Sequence, residues 1–555
     1  MQGVLAIMVS QVLIKILGLI YKLYLTNKEG FGDAGNAIYS SGFQIYALLL
    51  TLSSIGVPNA IAKLVSERLA VGDSKGAHRI FKVAFATFSI IGGIGTSILF
   101  YGAKYISNVV LQIPEAEYTL VALSPSIFFV SISSVVRGYF NGRQNMKATA
   151  NSQTIEQIFK TTLTIIIVAI IGVWSSSNTV LMAAGANLAT TLSTFLSFAY
   201  LYLYYGEKKA EIAQDIKLST NYKQYRIKTI IKTILTVSIP ILLSSLMAVI
   251  TKNIDAMTVV SGLKTFMSEE AAKLQYGILA GKVDTLTALP LSFNIAFATA
   301  LVPAIASAKA VKDMESARKR TLFSLLVTML IGLPCTVGMF VFAEQILNLL
   351  FPNASNGTLL LQISSLTIIF TVLIQTINGA LQGLGKILIP LISLGAGVAV
   401  KLVLNLILIK IPYFGVYGAA LATAACNIIS FIIGFSILVK NMKLKIDFGK
   451  FIIKPIIATL MMAICSYYIF DVLKNITTQG ISTVIALITA IIIYLISIIA
   501  LRILSKEEIY MLPAGEKIYK TLKRLGLSKW HNLLKNMNFC DEKSGTLQGK
   551  RIDKK

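Results

Sequence analysis

Val57-Pro58-Asn59-Ala60-Ile61, followed by a basic loop holding Asp73 and Ala77, returns as Val302-Pro303-Ala304-Ile305, followed by a basic loop holding Asp313 and Ala317. The aspartates and alanines recur 240 positions apart, and Gly138/Gly379, Gly142/Gly383 and Lys160/Lys401 recur 241 apart. Matches at nearly one offset indicate two homologous halves. Chance likeness between Gly-rich helices does not repeat Gly, Gly and a buried Lys at the same spacing. Each half holds six apolar runs. Six is even, so the halves share an orientation and are related by an axis along the membrane normal.

Composition agrees with that reading. The 555 residues are 55% apolar and 14% charged, with mean hydropathy +0.74. Soluble chains carry about 25% charged residues. A spanning helix needs about 20 mostly apolar residues, and this sequence supplies such runs near 4–25, 37–62, 81–103, 118–140, 148–172, 178–205, 231–260, 274–307, 321–343, 359–382, 387–409, 414–439, 451–473 and 480–503. A soluble enzyme and a β-barrel of short alternating segments are both excluded. The first run has no basic flank or small-residue cleavage site and reads as a first span.

The predicted fold is an all-α polytopic membrane protein with fourteen transmembrane helices. Residues 1–205 form an N-terminal lobe, 206–230 a cytoplasmic linker and 231–439 a C-terminal lobe. Two added spans occupy 451–503, and 504–555 form a basic cytoplasmic tail. From Ala514 onward Ile518, Leu522 and Leu525 share a helix face flanked by Lys517, Lys520, Lys523 and Arg524, the pattern of a surface-lying amphipathic helix. Pro58, Pro240, Pro290 and Pro303 are candidate kinks.

The formal net charge is +26. Most Lys and Arg follow the even-numbered spans, while the odd loops hold only Lys28, Lys104, Lys264, Lys273, Lys410 and Lys474. This asymmetry places the even loops and both termini in the cytoplasm and accounts for the charge without nucleic acid. Cys335, Cys426, Cys465 and Cys540 form no CxxC, and His78 and His531 are the only histidines, so neither a disulfide framework nor a zinc site is indicated. No phosphate-cradling GxxxxGK[ST] or GxGxxG stands between a strand and a helix, which excludes ATP hydrolysis by this chain.

Ionisable groups within the apolar runs cost at least about 2.5–3.5 kcal/mol each at a helix centre and face a cavity or a partner. They are Lys15, Glu156, Lys160, Lys252, Asp255, Lys282, Asp284 and Lys401, with Lys22 nearer a helix end. Glu156–Lys160 at i,i+4 and Lys252–Asp255 at i,i+3 are spaced to neutralise themselves on one face, or else to serve a cavity. Lys22 either snorkels to the interface or joins the cavity. Lys160 and Lys401, equivalent in the repeat, are either symmetric anchors or substrate contacts. Lys15 and Lys282 lie deep with no partner in register and are expected to line a cavity. Together Lys15, Lys22, Lys252, Asp255, Lys282 and Asp284 predict a cationic cavity suited to a phosphate or diphosphate. Gly138, Gly142, Gly379 and Gly383 have the spacing of close helix packing, or of a hinge.

The stretches Lys15-Ile16-Leu17-Gly18-Leu19-Ile20-Tyr21-Lys22, Gly56-Val57-Pro58-Asn59-Ala60-Ile61-Ala62-Lys63-Leu64-Val65-Ser66-Glu67-Arg68, Arg137-Gly138-Tyr139-Phe140-Asn141-Gly142-Arg143-Gln144-Asn145-Met146-Lys147 and Leu301-Val302-Pro303-Ala304-Ile305 resemble the MurJ and stage V sporulation protein B group. That group belongs to the multidrug/oligosaccharidyl-lipid/polysaccharide exporter superfamily. The resemblance, to its Gram-positive branch over about residues 3–525, implies a non-enzymatic flippase for an undecaprenyl-diphosphate-linked glycan, foremost lipid II, in the bacterial cytoplasmic membrane. It implies helices 1, 2, 7 and 8 around a cationic cavity, a groove for the lipid tail at helices 13 and 14, and Lys15 at the basic position of helix 1. Span 8 departs from the Gram-negative pattern: Asp284-Thr285 stands where an Asp-Arg pair is expected, with Lys282 nearly a turn earlier, and span 2 lacks an Arg. Peptidoglycan biosynthesis, cell shape or sporulation, and a place in a cell-wall synthesis complex, are the roles implied. No cofactor or metal is expected, the energy coming from membrane potential or a coupled monovalent cation. Another polyprenyl-linked glycan is the alternative substrate. An ion-coupled drug exporter, a polymerase of lipid-linked sugars and a purely structural division protein fit the buried lysines and short odd loops less well.

Overall fold

A computed structural model describes residues 2–54, 56–175, 178–219, 225–511, 516, 519 and 520. The first half comprises α1 (Gln2–Asn27), α2 (Gly32–Ser54), α3 (Val57–Ala70), α4 (Ser74–Tyr105), a π-helical turn (Ile106–Leu111), α5 (Ala116–Gly142), α6 (Lys147–Trp174) and α7 (Thr179–Lys217). The second comprises α8 (Ile227–Leu263), α9 (Glu269–Gly277), a π-helical turn (Ile278–Val283), α10 (Asp284–Ala310), α11 (Met314–Val341), α12 (Ala343–Leu350), α13 (Thr358–Gly383), α14 (Leu388–Leu408) and α15 (Val416–Met442). A third π-helical turn (Gly449–Ile453) leads into α16 (Lys454–Leu473), followed by α17 (Gln479–Ala500) and α18 (Lys506–Met511). Among the described residues twelve stretches are long and apolar enough to cross a membrane. The chain is a multi-pass membrane protein. Most of the expected amphipathic tail lies outside the described residues.

Two expected single spans are composite. The run 37–62 is divided between α2 and α3 at Gly56, whose φ of +87° lies in the left-handed region. Pro58 follows at the start of α3, where its missing N–H leaves no bond unmade. The run 274–307 is assembled from α9, the π-helical turn and α10, and Pro290 and Pro303 lie inside α10. Helix α7 continues to Lys217 and α8 starts at Ile227, so much of the expected linker is helical.

Packing makes the internal repeat concrete. Asp73 caps α4 by accepting from the Gly76 amide at 2.7 Å, and Asp313 caps α11 by accepting from the Ser316 amide at 3.0 Å. Ala77 and Ala317 are both buried just inside these caps. A Cβ on Gly138 would come within 2.9 Å of Pro58 of α3, and one on Gly142 within 2.7 Å of Val65. In the second half a Cβ on Gly379 would come within 2.5 Å of the Ala298 carbonyl of α10, and one on Gly383 within 2.8 Å of Ile305. All four glycines let backbones approach, so close packing is their role.

The lobes do not meet evenly along their length. At the end bearing the odd loops, one core joins Leu25, Phe31 and Tyr39 of the first lobe to Val259, Tyr276 and Phe351 of the second. At the opposite end there are two cores, and the start of α8 ties the first of them to the second half. One is built on Ile61, Ile80 and Tyr139 with Ile230 and Ile234 of α8, the other on Ile305, Leu326 and Leu381 with Met462 and Tyr494 of α16 and α17. The molecule is closed at the odd-loop end. Beside α11, helices α16 and α17 enclose an apolar cavity of about 1110 Å³ lined by Leu330, Pro334, Phe342, Met462, Ile491 and Tyr494.

Candidate substrate cavity

The intramembrane charges are assembled from facing helices, not along single ones. Asp255 of α8 does not pair with Lys252, its neighbour one turn earlier. Its Oδ2 lies 2.6 Å from Lys401 Nζ of α14, and its Oδ1 accepts from Asn405 Nδ2 at 3.0 Å. Lys401 also donates to the Thr251 carbonyl at 2.8 Å and has no solvent exposure. Lys401 therefore ties α8 to α14. Lys252, freed from Asp255, forms its ion pair with Asp284 at the start of α10. Both members remain partly exposed, at 37% and 19%.

Lys282 corrects a second expectation. It has a partner, Asp33 in the first turn of α2, at 2.9 Å, and donates to the Ala354 carbonyl at 2.6 Å. Its side chain is fully buried, and the pair spans the two lobes at the odd-loop end. Gly277 makes that closeness possible, since a Cβ there would come within 1.8 Å of the Asp33 carbonyl oxygen. Nearby, Asn27 Nδ2 donates to the Leu350 carbonyl at 2.7 Å and Asn353 Nδ2 to the Asn27 carbonyl at 2.8 Å. Lys273 pairs with Glu115 at 2.7 Å and with Glu269 at 2.8 Å. Hydrogen bonds from Lys264 and then Lys273 hold the Glu269 carboxyl down to about 2. Lys282 thus belongs to a latch between lobes.

The same-helix alternative for Glu156 and Lys160 does not form either. Glu156 lies 2.8 Å from Arg137 of α5, which donates in addition to Ser152 and Ser197. Lys160 stands over aromatic rings instead, 4.6 Å from the Phe43 centroid and 5.4 Å from that of Tyr21. Lys22 lies 4.3 Å from the centroid of Tyr39, a buried ring, so it turns inward. The Tyr21 and Tyr39 hydroxyls are 3.5 Å apart. Lys22 and Lys160 are within electrostatic reach of each other, and Asp284 acts on Lys22 from the opposite lobe. Lys15 is exposed on α1, about 10 Å from Lys22 toward the even-loop end at 1.5 Å per residue. It has no ion-pair partner among the described residues.

Sequence reasoning missed Asp33, the aromatic seats Tyr21, Tyr39 and Phe43, and Arg137 as the partner of Glu156. Asp33 offered one signal: a carboxylate among the glycines at the end of the first odd loop, after Lys28 and Glu29. No group of three or more His, Cys, Asp or Glu side chains suited to a metal ion occurs among the described residues. The arrangement provides a partly open, net cationic site among α1, α2, α6, α8 and α10, closed above by the Lys282–Asp33 latch.

Helices long and apolar enough to cross a membrane, packed around intramembrane charges, define a transporter-type membrane protein. The chain belongs to the polysaccharide biosynthesis protein family, whose profile matches residues 1–309, and a MatE profile matches residues 280–407. Both place it in the multidrug/oligosaccharidyl-lipid/polysaccharide exporter superfamily. It is 25% identical over 520 residues to stage V sporulation protein B of Bacillus subtilis (strain 168), covering 92% of this chain and 97% of that one. It is 25% identical over 449 residues to lipid II flippase MurJ of the same organism, covering 78% and 81%. A solved structure of lipid II flippase MurJ in an inward closed conformation shares the fold, with TM-score 0.65 at 17% identity over 88% of this chain and 97% of that one.

Proposed function

We propose that the protein is a flippase that carries a polyprenyl-diphosphate-linked glycan, foremost the peptidoglycan precursor lipid II, across the cytoplasmic membrane. The observation that carries this reading is the pair Lys22 and Lys160, two cations inside membrane helices at the lobe interface with no carboxylate of their own. Such a pair is costly unless an anion visits it. The likeness to lipid II flippase MurJ supports the same substrate class.

In this reading fourteen helices cross the bilayer with both termini in the cytoplasm, as the basic even loops require. The latched odd-loop end then faces outward and the site opens inward. The diphosphate and sugars enter between the lobes while the prenyl chain lies along the α16–α17 cavity. Rocking of the lobes breaks the Lys282–Asp33 latch and exposes the load outside. Membrane potential or a coupled monovalent cation drives the cycle, and the protein works beside the enzymes of wall synthesis.

The similar identity to a sporulation protein favours a second reading within the class, a glycan of another wall layer. The test is expression in a bacterium depleted of its own lipid II flippase, reading externally accessible lipid II and survival. Restored exposure supports lipid II as the load. Correct insertion with no restoration transfers the assignment to another polyprenyl-linked glycan.

A further inference from the structure

The cavity that α11, α16 and α17 enclose is apolar along its length and changes character at one end. Near its middle Tyr494 brings a hydroxyl, which donates to the Leu330 carbonyl at 2.9 Å. That carbonyl is the one Pro334 leaves without an amide partner four residues on, so the hydroxyl is already engaged. Phe342 and Ile346 line the odd-loop end. At the even-loop end stands Arg502, the only charged side chain among the described lining residues, with Tyr519 beside it. An apolar site with its charge at a single end orients an amphiphile that carries one anionic head.

This end is firmly built. The Glu508 carboxylate accepts from the Ser505 amide at 2.8 Å, and the Ser505 hydroxyl accepts from the Glu508 amide at 3.3 Å, a reciprocal cap that fixes the start of α18. Lys450 donates to both Glu508 oxygens, at 2.7 and 2.8 Å, and so ties α18 to the turn before α16. Ile509 of α18 is thereby buried against the end of the cavity. Lys506 lies over the Tyr519 ring, 5.3 Å from its centroid. The two carboxylates of α18 are both answered, Glu508 by Lys450 and Glu507 by Lys319 of α11 within electrostatic reach. Arg502 and Lys506 leave the mouth cationic.

Length identifies the occupant. Helix α11 lines the cavity from Val327 to Phe342, about 22 Å at 1.5 Å per residue. The hydrocarbon of one leaflet is about 15 Å thick, half of the bilayer core, so a glycerophospholipid chain stops short of the far end and a polyprenyl chain reaches it. Among the described residues no lining side chain comes from α1, α2, α6, α8 or α10, so this site is separate from the charged one between the lobes. We infer that its even-loop mouth is a loading station, where Arg502 holds the phosphoryl head of a polyprenyl phosphate lipid, Lys506 adds charge and the chain runs toward Phe342. The planar fork of arginine can meet two phosphoryl oxygens at once. The lipid is captured here before its head passes between the lobes. This assignment rests on the flippase reading and adds to it an order of events and a head-group contact outside the charged site.

The test uses the purified full-length chain and a prenyl phosphate whose extended chain matches the cavity, with a photoreactive group at the chain end. Wild type is labelled near Met339, Phe342 and Ile346, the end away from Arg502. Excess undecaprenyl phosphate suppresses the labelling and phosphatidylglycerol does not. Arg502→Gln weakens binding of the probe about tenfold, the worth of one charge-assisted hydrogen bond. Ile491→Trp fills the cavity and abolishes labelling there, while Lys63→Gln, on the exposed surface of α3, behaves as wild type. Wild-type labelling in Arg502→Gln, or labelling confined to α1, α2 and α10, overturns the station and leaves the flippase reading standing. Equal suppression by phosphatidylglycerol overturns the polyprenyl occupant and makes this a phospholipid site. A wild type that binds neither the probe nor undecaprenyl phosphate overturns the flippase reading and the station with it. If Ile491→Trp fails to fold, Arg502→Gln decides alone.

Discussion

Lys252 and Asp255 are one helical turn apart, yet each finds its partner on another helix. Asp255 is nearly buried and lies against α14, where Lys401 and Asn405 satisfy both of its oxygens. Removing one member of such a pair strands the other charge, at a cost of about 3–5 kcal/mol. Lys401→Ala should therefore lower the thermal stability of the detergent-purified protein markedly. Lys401→Met combined with Asp255→Leu should recover much of the loss, and a double-mutant cycle gives the coupling. Additive losses would show that the pair does not tie α8 to α14. At this scale the sequence identified the intramembrane lysines but could offer partners only on the same helix, because spacing along one helix reports only same-helix neighbours.

Helix packing turns on glycines whose repeat partners do the same work. Gly379 admits the Ala298 carbonyl as Gly138 admits Pro58. Gly379→Val should force α13 away from α10 and cost about 1–3 kcal/mol by overpacking, read as a lower unfolding temperature. An unchanged temperature would mean that α10 yields without cost. The α8–α9 loop has a different control. Lys264 and Lys273 hold the Glu269 carboxyl down to about 2, below its ordinary range of about 4.3. A depressed carboxylate contributes stability above its unfolded pKa and loses it as pH falls through the folded one. Protection of this loop from proteolysis should thus persist from pH 7 to pH 5 and fade only between about pH 4.3 and 2. Glu269→Gln should abolish that dependence.

The two halves share a core and the Lys282–Asp33 pair at the odd-loop end, while at the other end the start of α8 makes the contact. In a chain with its four cysteines replaced, Lys252→Cys should react with a charged thiol reagent from the even-loop side and not from the other. Adding Asp33→Ala should strand buried Lys282, weaken the latch and allow labelling from the odd-loop side. Labelling from the odd-loop side without that second substitution would contradict the closed state. A charge exchange, Asp33→Lys with Lys282→Asp, should restore part of the protection that the single change removes.

Long apolar runs and the basic loops between them determined, from sequence alone, that the chain is an all-helical polytopic membrane protein. Such properties are local: a bilayer selects helices by composition and length, whatever their neighbours. The cost of an intramembrane charge also marked the lysines as exceptional before any fold was known. Which lysine is neutralised from a facing helix, and which stands over aromatic rings instead, was decided only by the tertiary structure. Lys282 and Asp33 are 249 residues apart and Lys401 and Asp255 are 146 apart. Coulomb energy depends on distance through space, and helix packing sets that distance.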